Sequence, residues 1–438
     1  MIYYLGIPKV FICSASGACI KNCREIKLVS LSSYLHALYY QLSIIRYHLL
    51  SNSFTERIIS SIGDIMKKAV ALLLIILSLG CFPLKAGALS VSAESAVLYC
   101  VDNNKVYFSK NENKHMRPAS TTKIMTALIT LEFAEKNNRK VRFTEDMISE
   151  GSSMYLKVGD VVTLRDLAVG MMMCSGNDAA KAAAISIAGS EEKFSELMNR
   201  RARKIGMKNT NFETPSGLDD KDHYTTAYDM ALLMSEALKN PEFKKLTCKK
   251  SETVRFINPD NKITTYANHN RLLSLNRYCI GGKTGFTKAA GRCLVTAAKK
   301  DGLTLISVTL RAERDWYDHN IMYNYGYENY RMKTLCGADF FLDVDTVGGE
   351  KSKTALGAQR ECKAVVSAKD YNKIKSKYYI DNFLYAPQKS GDKAGKIEYL
   401  LNGKKIASAK LTVAEDNNSL KENKSIWDNI KGFFNNAF

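Results

Sequence analysis

Residues 164–245 carry a helical apolar pattern, interrupted only near Pro215-Ser-Gly-Leu, and strand-like runs follow at 293–298 and 303–310, joined at Asp301-Gly302. An Asp-Gly pair between two apolar runs is a hairpin signal. A long helical stretch beside such a hairpin predicts a sheet with a helical subdomain. Upstream, 97–109 reads as two short strands around the turn Asp102-Asn-Asn104. Pro118 and Ser120 then act as helix-start signals for Ile124, Leu128 and Leu131, which recur at helical spacing. Near 348–352 the charge rises and the pattern changes. Beyond it, 364–367, 397–401 and 406–413 read as strands, with Asn402-Gly403 as a tight turn between the last two. The expected organisation is a first folded unit at 89–347 and a small all-β domain at 348–416, which suits a chain of 438 residues.

The front end is not expected to be a domain. From Met66 the chain reads Met-Lys-Lys-Ala-Val-Ala-Leu-Leu-Leu-Ile-Ile-Leu, and small residues follow at Ala86-Gly-Ala88. Two lysines, a short apolar run and a small-residue site are the parts of a secretory leader, here 66–88, with the cut after Ala88. Residues 1–65 are read as upstream sequence outside the translated protein. The rival reading is a cytoplasmic extension held by an uncleaved anchor at 69–79. Six basic and three acidic groups precede Met66 and three lysines lie in the leader, so +13 of the chain's +19 belongs to the exported part. An exported basic protein meets anionic wall polymer or lipid headgroups rather than nucleic acid. Seven cysteines lie beyond the leader, an odd number without a Cys-x-x-C pair, so buried free thiols are expected rather than a disulfide framework or a zinc site. At the other end a polar spacer leads into 425–438, where Ile426, Ile430, Phe433 and Ala437 share one helical face beside Trp427 and Phe434. Residues 417–438 are therefore read as a spacer and an amphipathic helix that lies on a membrane surface.

Three short motifs carry the chemistry. In Ser120-Thr-Thr-Lys123 the hydroxyl and the amine are three apart, so a helix sets them on one face. A serine is a poor nucleophile without a base, and a lysine serves as one when burial and neighbouring cations lower its pKa. The spacing alone is weak, because Ser190–Lys193 and Ser390–Lys393 share it. In Ser175-Gly-Asn177 a hydroxyl and an amide follow the apolar Met171-Met-Met-Cys174, and a turn there would aim both into a cleft. In Gly281-Gly-Lys-Thr-Gly285 glycines allow close approach to a strand edge, Lys283 supplies a cation and Thr284 a hydroxyl for a carboxylate. A phosphate loop would need glycine where Arg277 stands.

The order Ser-x-x-Lys, Ser-x-Asn, Lys-Thr-Gly, at separations of 55 and 108 residues, resembles the active-site-serine penicillin-binding proteins and β-lactamases. The surroundings Pro118-Ala-Ser-Thr-Thr-Lys-Ile-Met, Cys174-Ser-Gly-Asn-Asp-Ala-Ala, His223-Tyr-Thr-Thr-Ala-Tyr-Asp and Gly282-Lys-Thr-Gly-Phe-Thr-Lys narrow the resemblance to low-molecular-weight penicillin-binding proteins, the serine-type D-alanyl-D-alanine carboxypeptidases of peptidase family S11. The resemblance spans about 90–345 and continues more weakly through the β domain and tail. It implies an α/β (α+β) β-lactamase-like catalytic domain, an antiparallel sheet with flanking helices, at 89–347. By similarity Ser120 attacks the carbonyl between the terminal D-alanines of a peptidoglycan stem peptide and Lys123 takes its proton. Ser175 and Lys283 relay a proton to the leaving D-alanine. Asn177 holds a substrate amide. Thr284, with Gly285 beside it, binds the terminal carboxylate with Arg314, or failing that Arg311. The backbone N–H groups of Ser120 and Phe286 form the oxyanion hole. Phe286 stands where some relatives carry histidine. β-Lactam antibiotics are expected inhibitors, and no cofactor or metal is implied.

Other readings use the same residues: a DD-endopeptidase or transpeptidase with an amine as acceptor, a β-lactamase, or a catalytically weak wall-binding or penicillin-sensing protein. A class A β-lactamase would carry a Glu-x-x-Leu-Asn loop after the second motif, and none is present. For His115, His223, His269 and His319 structural hydrogen bonding is expected, since serine–lysine chemistry uses no histidine.

Overall fold

The computed structural model describes residues 36–43, 60–71 and 89–420. The chain divides into two units, Met1–Gly87 and Ala88–Phe438. In the first, 36–43 and 60–71 are helical. Most of 1–65, residues 72–88 of the expected leader and the expected helix at 425–438 lie outside the described residues. Among the described residues no helix is long and apolar enough to cross a membrane.

The second unit is built on a five-stranded antiparallel sheet in the order β2-β1-β9-β8-β7. Its strands are β1 (Ser95–Cys100), β2 (Lys105–Lys110), β7 (Cys279–Thr287), β8 (Gly291–Lys300) and β9 (Leu303–Leu310). Alternation along β1 explains the two layers that cover it. Val97 and Tyr99 join the larger core, shared with the helical subdomain. Leu98 and Cys100 join a second core with Leu305, Met322 and Tyr323. Met322 and Tyr323 belong to the long helix Asp315–Asn329 that closes that face. The β8–β9 turn is the Asp301-Gly302 pair, with φ of 48° and 83°, the left-handed values a two-residue hairpin requires.

Between β2 and β7 lies the helical subdomain: α1 (Lys123–Lys136), α2 (Leu164–Met173), α3 (Asn177–Ala188), α4 (Glu191–Ile205), α5 (Ala227–Ala237) and α6 (Pro241–Thr247). The sequence pattern predicts one apolar face on α1. Instead every residue from Lys123 to Leu131 is buried, so this helix runs through the middle of the subdomain. Two-stranded antiparallel sheets, β3 (Lys140–Arg142) with β4 (Val161–Thr163) and β5 (Ser251–Arg255) with β6 (Ile263–Ala267), flank it. α2 starts with a capping box, Thr163 and Asp166 bonding each other's backbone N–H. The helix following β6 is the short α7 (Leu272–Leu275), and Asp315–Asn329 is α8.

The all-β part begins earlier than the expected boundary at 348. β10 (Tyr330–Cys336) pairs with β13 (Cys362–Ser367). β11 (Phe341–Val347) joins a six-stranded sheet, β14-β16-β17-β12-β11-β15. The remaining strands are β12 (Lys353–Ala358), β14 (Ile374–Ile380), β15 (Phe383–Tyr385), β16 (Lys393–Leu401) and β17 (Lys404–Val413). The change of charge near 348–352 marks the β11–β12 turn, not the start of the domain. Val344, Leu356, Ile397 and Leu411 form the core between the two sheets, with Cys336 and Cys362 facing each other as thiols. No linker separates the two parts: α8 ends at Asn329 and β10 starts at Tyr330. The Tyr330 ring stacks on Tyr107 of β2, 3.6 Å between centroids, and Ala368 N–H donates to the carbonyl of Asn329.

Candidate active site

The three motifs come from three different elements. Ser120 sits in a 3-10 turn, Ala119–Thr122, that leads into α1. Ala119 has a φ of 48°, an unusual value for a non-glycine residue, so this turn is held by its surroundings. Two glycines do the holding. A Cβ on Gly217, itself at φ +80°, would lie 2.0 Å from the carbonyl oxygen of Ala119. A Cβ on Gly285 would lie 2.9 Å from the backbone nitrogen of Thr121 and 3.0 Å from that of Ser120. The nucleophile turn is thus gripped between the Pro215-Ser-Gly loop and the edge strand β7.

Lys123 opens α1 and is fully buried. Its Nζ donates to Ser120 Oγ at 3.0 Å, to Asn177 Oδ1 at 2.6 Å and to the carbonyl of Ser216 at 2.6 Å. Burial without a carboxylate partner, together with the charge of Lys283, holds its pKa well below the usual lysine range. Lys283, on β7, is also buried and donates to Ser175 Oγ at 3.1 Å and to the carbonyl of Thr284 at 2.8 Å. Burial lowers its pKa to about 7. Both amines are thus held below the usual lysine range, the condition under which a buried lysine can take up or release a proton.

Ser175 lies in the α2–α3 turn with a φ of 62°, which turns its hydroxyl toward Lys283. Asn177 opens α3. Besides accepting from Lys123, its Nδ2 donates to the carbonyl of Glu150 at 2.6 Å and its backbone N–H to that of Ser152 at 2.7 Å. Next to it, the buried Asp178 accepts from Ser153 Oγ and from the N–H groups of Met154 and Leu156 at 2.7, 2.8 and 3.1 Å. These bonds tie the 150–156 loop to the start of α3 and bring Ser152 into the cleft.

The cleft encloses about 370 Å³ and is lined by Ser120, Ser175, Thr284, Gly285 and Phe286 of the predicted set. Lys123, Asn177 and Lys283 sit behind that lining, hydrogen-bonded to it as described. Phe286 is 65% exposed at the mouth. Arg314, which the resemblance implies as a carboxylate ligand, is not among the residues that line the cleft. It caps α8, its backbone N–H donates to Ser92 Oγ, and its guanidinium lies over Tyr317, 5.2 Å from the ring centroid. Arg311 is engaged elsewhere too, with the carbonyl of Ala289 and Glu94. The cations that do line the cleft are Arg271 and Arg292, with His269 and Trp316 nearby. Arg292 donates through Nη2 to both carboxylate oxygens of Asp315, at 2.7 and 3.0 Å. Arg271 has no carboxylate within 4.0 Å among the described residues, which leaves it as the cleft's uncommitted cation. Sequence reasoning missed Arg271 because it stands in a loop with neither motif nor periodicity.

His223 and His319 are the structural histidines expected. His223 accepts the N–H groups of Glu213 and Thr214 at Nδ1 and bonds Thr122 through Nε2 at 3.0 Å, and burial lowers its pKa to about 4. It braces the loop that delivers Ser216 and Gly217. His319 is buried between Thr296 and Thr309. His269 differs from the expectation by lining the cleft. Of the other two Ser-x-x-Lys pairs, Ser190 caps α4 and Ser390 bonds the carbonyl of Ala414, so neither meets a lysine amine.

A serine hydroxyl bonded to a buried lysine, opposite a second serine–lysine pair on an antiparallel sheet edge, defines a serine-type acyl-transfer enzyme of the penicillin-recognising class. Comparison with known proteins places it further. The family profile described as D-alanyl-D-alanine carboxypeptidase matches 83–314, and that of the penicillin-binding protein 5 C-terminal domain matches 330–419. The chain is 33% identical to the D-alanyl-D-alanine carboxypeptidase DacF of Bacillus subtilis, over 76% of this chain and 87% of that protein. It is 35% identical to DacC of Escherichia coli, over 75% and 84%. The crystal structure of penicillin binding protein 5 from Haemophilus influenzae superposes with a TM-score of 0.57 at 30% identity, over 75% of this chain and 98% of that one. The DD-transpeptidase of Streptomyces K15 superposes over 54% of this chain and 98% of its own, at 30% identity and a TM-score of 0.51. The chain belongs to the serine-type D-alanyl-D-alanine carboxypeptidase family, the low-molecular-weight penicillin-binding proteins.

Proposed function

We propose that the chain removes the terminal D-alanine of peptidoglycan stem peptides through an acyl-enzyme on Ser120. The observation that carries this reading is the buried Lys123 amine, bonded at once to Ser120 Oγ and Asn177 Oδ1, with Lys283 and Ser175 across the same cleft. Ser120 Oγ attacks the carbonyl carbon between the two D-alanines and gives its proton to Lys123 Nζ. The N–H groups of Ser120 and Phe286 receive the oxyanion. Collapse breaks the C–N bond. The departing nitrogen takes a proton from Ser175 Oγ, which Lys283 Nζ replaces. Water then attacks the ester carbonyl and passes a proton through Ser175 Oγ to Lys283 Nζ; the bond to Ser120 Oγ breaks, Lys123 Nζ returns its proton to that oxygen, and both lysines regain their starting states. Thr284 and Arg271 bind the terminal carboxylate in this scheme, in place of Arg314. A β-lactam acylates Ser120 in the same way and leaves slowly.

The test is D-alanine release from a pentapeptide ending D-Ala-D-Ala, together with mass mapping of a penicillin adduct. Release with the adduct on the peptide bearing Ser120 supports the reading. An adduct without release points to an amine acceptor, and no adduct overturns the assignment of Ser120. The Lys283 value adds a pH prediction. This amine is cationic below about 7 and neutral above it, and the scheme needs the cation as proton source. Activity is therefore expected to fall as pH rises through that value. Lys283→Arg stays charged but gives up no proton, so D-alanine release should be low at every pH rather than regained above that value.

Export through 66–88 and attachment to the outer face of the cytoplasmic membrane through the amphipathic 425–438 complete the proposal. The alternation of Ile426, Ile430 and Phe433 with polar residues supports an interfacial rather than a spanning helix. Deleting 421–438 is expected to release the active protein from membranes into the soluble fraction. Retention on membranes would refute the anchor.

A further inference from the structure

The six-stranded sheet has one face on its core and one toward solvent, and strand register determines what the open face carries. On β14, Lys375, Lys377 and Tyr379 lie opposite Leu400, Glu398 and Lys396 of β16. Those in turn lie opposite Lys405, Ser408 and Lys410 of β17. The alternate set, Ile397, Tyr399, Ala409 and Leu411, is the core. The open face of these three strands therefore presents five exposed lysines against one carboxylate. Glu398 is shared by Lys396 at 2.9 Å and Lys405 at 3.6 Å. Lys375, Lys377 and Lys410 have no carboxylate within 4.0 Å among the described residues. Protein surfaces usually intersperse the two signs. Here like charges stand about 7 Å apart along a strand and about 5 Å apart between strands, a repulsion that an anion would relieve.

We propose that this face binds a linear polyanion with regularly spaced phosphodiester groups. The lysines are spread over three strands rather than converging, which suits an extended polymer and not a single small anion. Ammonium groups act as point charges for phosphate. Single-stranded nucleic acid is held in addition by a free aromatic surface on which its bases stack. Tyr379, the aromatic ring among these lysines, is already covered by Lys377 and Lys396, 4.9 and 4.4 Å from its centroid. Lipid headgroups are the other source of clustered phosphate, and the topology argues against them. The chain leaves the domain at the opposite end of the sheet, where Ser419 bridges Gly349 and Asn417 bridges Gln388. A protein held through its C-terminal segment thus turns the β14 edge away from the surface that holds it.

The test uses residues 89–438 and soluble poly(glycerol phosphate), titrated between 50 and 300 mM salt, with phosphatidylglycerol vesicles as the second probe. Three forms are compared: unsubstituted; Lys375→Ser with Lys377→Ser and Lys410→Ser; and a charge-matched control, Lys136→Ser with Lys208→Ser and Lys221→Ser. None of these lysines belongs to the cleft, so D-alanine release and melting temperature verify the fold in each. The expected result is a loss of polymer affinity of about tenfold or more in the β-domain variant at 100 mM salt. Its salt dependence should be shallower by about two in log–log slope, because fewer counterions are released. The control should bind like the unsubstituted chain. Equal loss in both variants would reduce the effect to net charge and overturn the proposal, as would absence of polymer binding. Vesicle binding with the same dependence on Lys375, Lys377 and Lys410 would assign the face to the membrane instead.

Discussion

Ser120→Ala is expected to lower D-alanine release by a factor of about 10⁴ or more, the scale seen when a serine nucleophile is removed from a site that acts as a unit. Covalent penicillin labelling should vanish with it. The fold should remain, because Ser120 Oγ serves only as one of three acceptors for Lys123, and the Asn177 and Ser216 oxygens keep that amine bonded. A change in stability within about 0.5 kcal/mol is therefore expected from thermal or urea unfolding. Reversible penicillin binding should persist, since Thr284, Arg271 and the cleft walls are untouched. Residual turnover at a hundredth of the starting rate would mean that another group attacks the carbonyl, and the assignment of Ser120 would fail.

Lys123→Met should be nearly as damaging, by about 10³–10⁴-fold, for a different reason. Methionine is close to lysine in shape, fits a site without solvent access and accepts no proton. Ser120 then has no base, so acylation by penicillin slows along with peptide hydrolysis. The double variant with Ser120→Ala should be no worse than Ser120→Ala alone, because the two residues perform one step. Lys123→Arg is the harsher test of the fold. Its guanidinium is larger and permanently charged, and a cost of about 1–3 kcal/mol is expected from forcing it into a filled, buried site. Stopped-flow acylation of the Lys123→Met variant at a rate close to that of the unsubstituted chain would show that the proton goes elsewhere.

Much of this site was legible in the sequence because its parts are polar strings set in apolar surroundings. Ser120–Lys123, Ser175–Asn177 and Lys283–Gly285 stand out for that reason, and their order carried the family resemblance. What held them in place was not legible. The need for glycine at 217 arises from the 2.0 Å approach to Ala119, a tertiary contact between segments about a hundred residues apart. Arg271 reaches the cleft through the loop between β6 and α7, and no pattern marks such a loop. The resemblance points to Arg314, but α8 begins one residue later and the arginine's guanidinium lies over Tyr317. In the β domain, Asn402-Gly403 announced β16 and β17 through its turn chemistry, with φ of 50° and 76°. β10 was missed because its apolar residues do not alternate cleanly and it follows a helix without a break.

That unbroken passage from α8 into β10 bears on reach. With the Tyr107–Tyr330 stack on one side and the Ala368–Asn329 bond on the other, the all-β part behaves as a stiff pillar rather than a tether. Under the attachment proposed for 425–438, such a pillar would fix the distance between the holding surface and the cleft, so the reach of the catalytic groups would be set by the fold and not by a swinging arm.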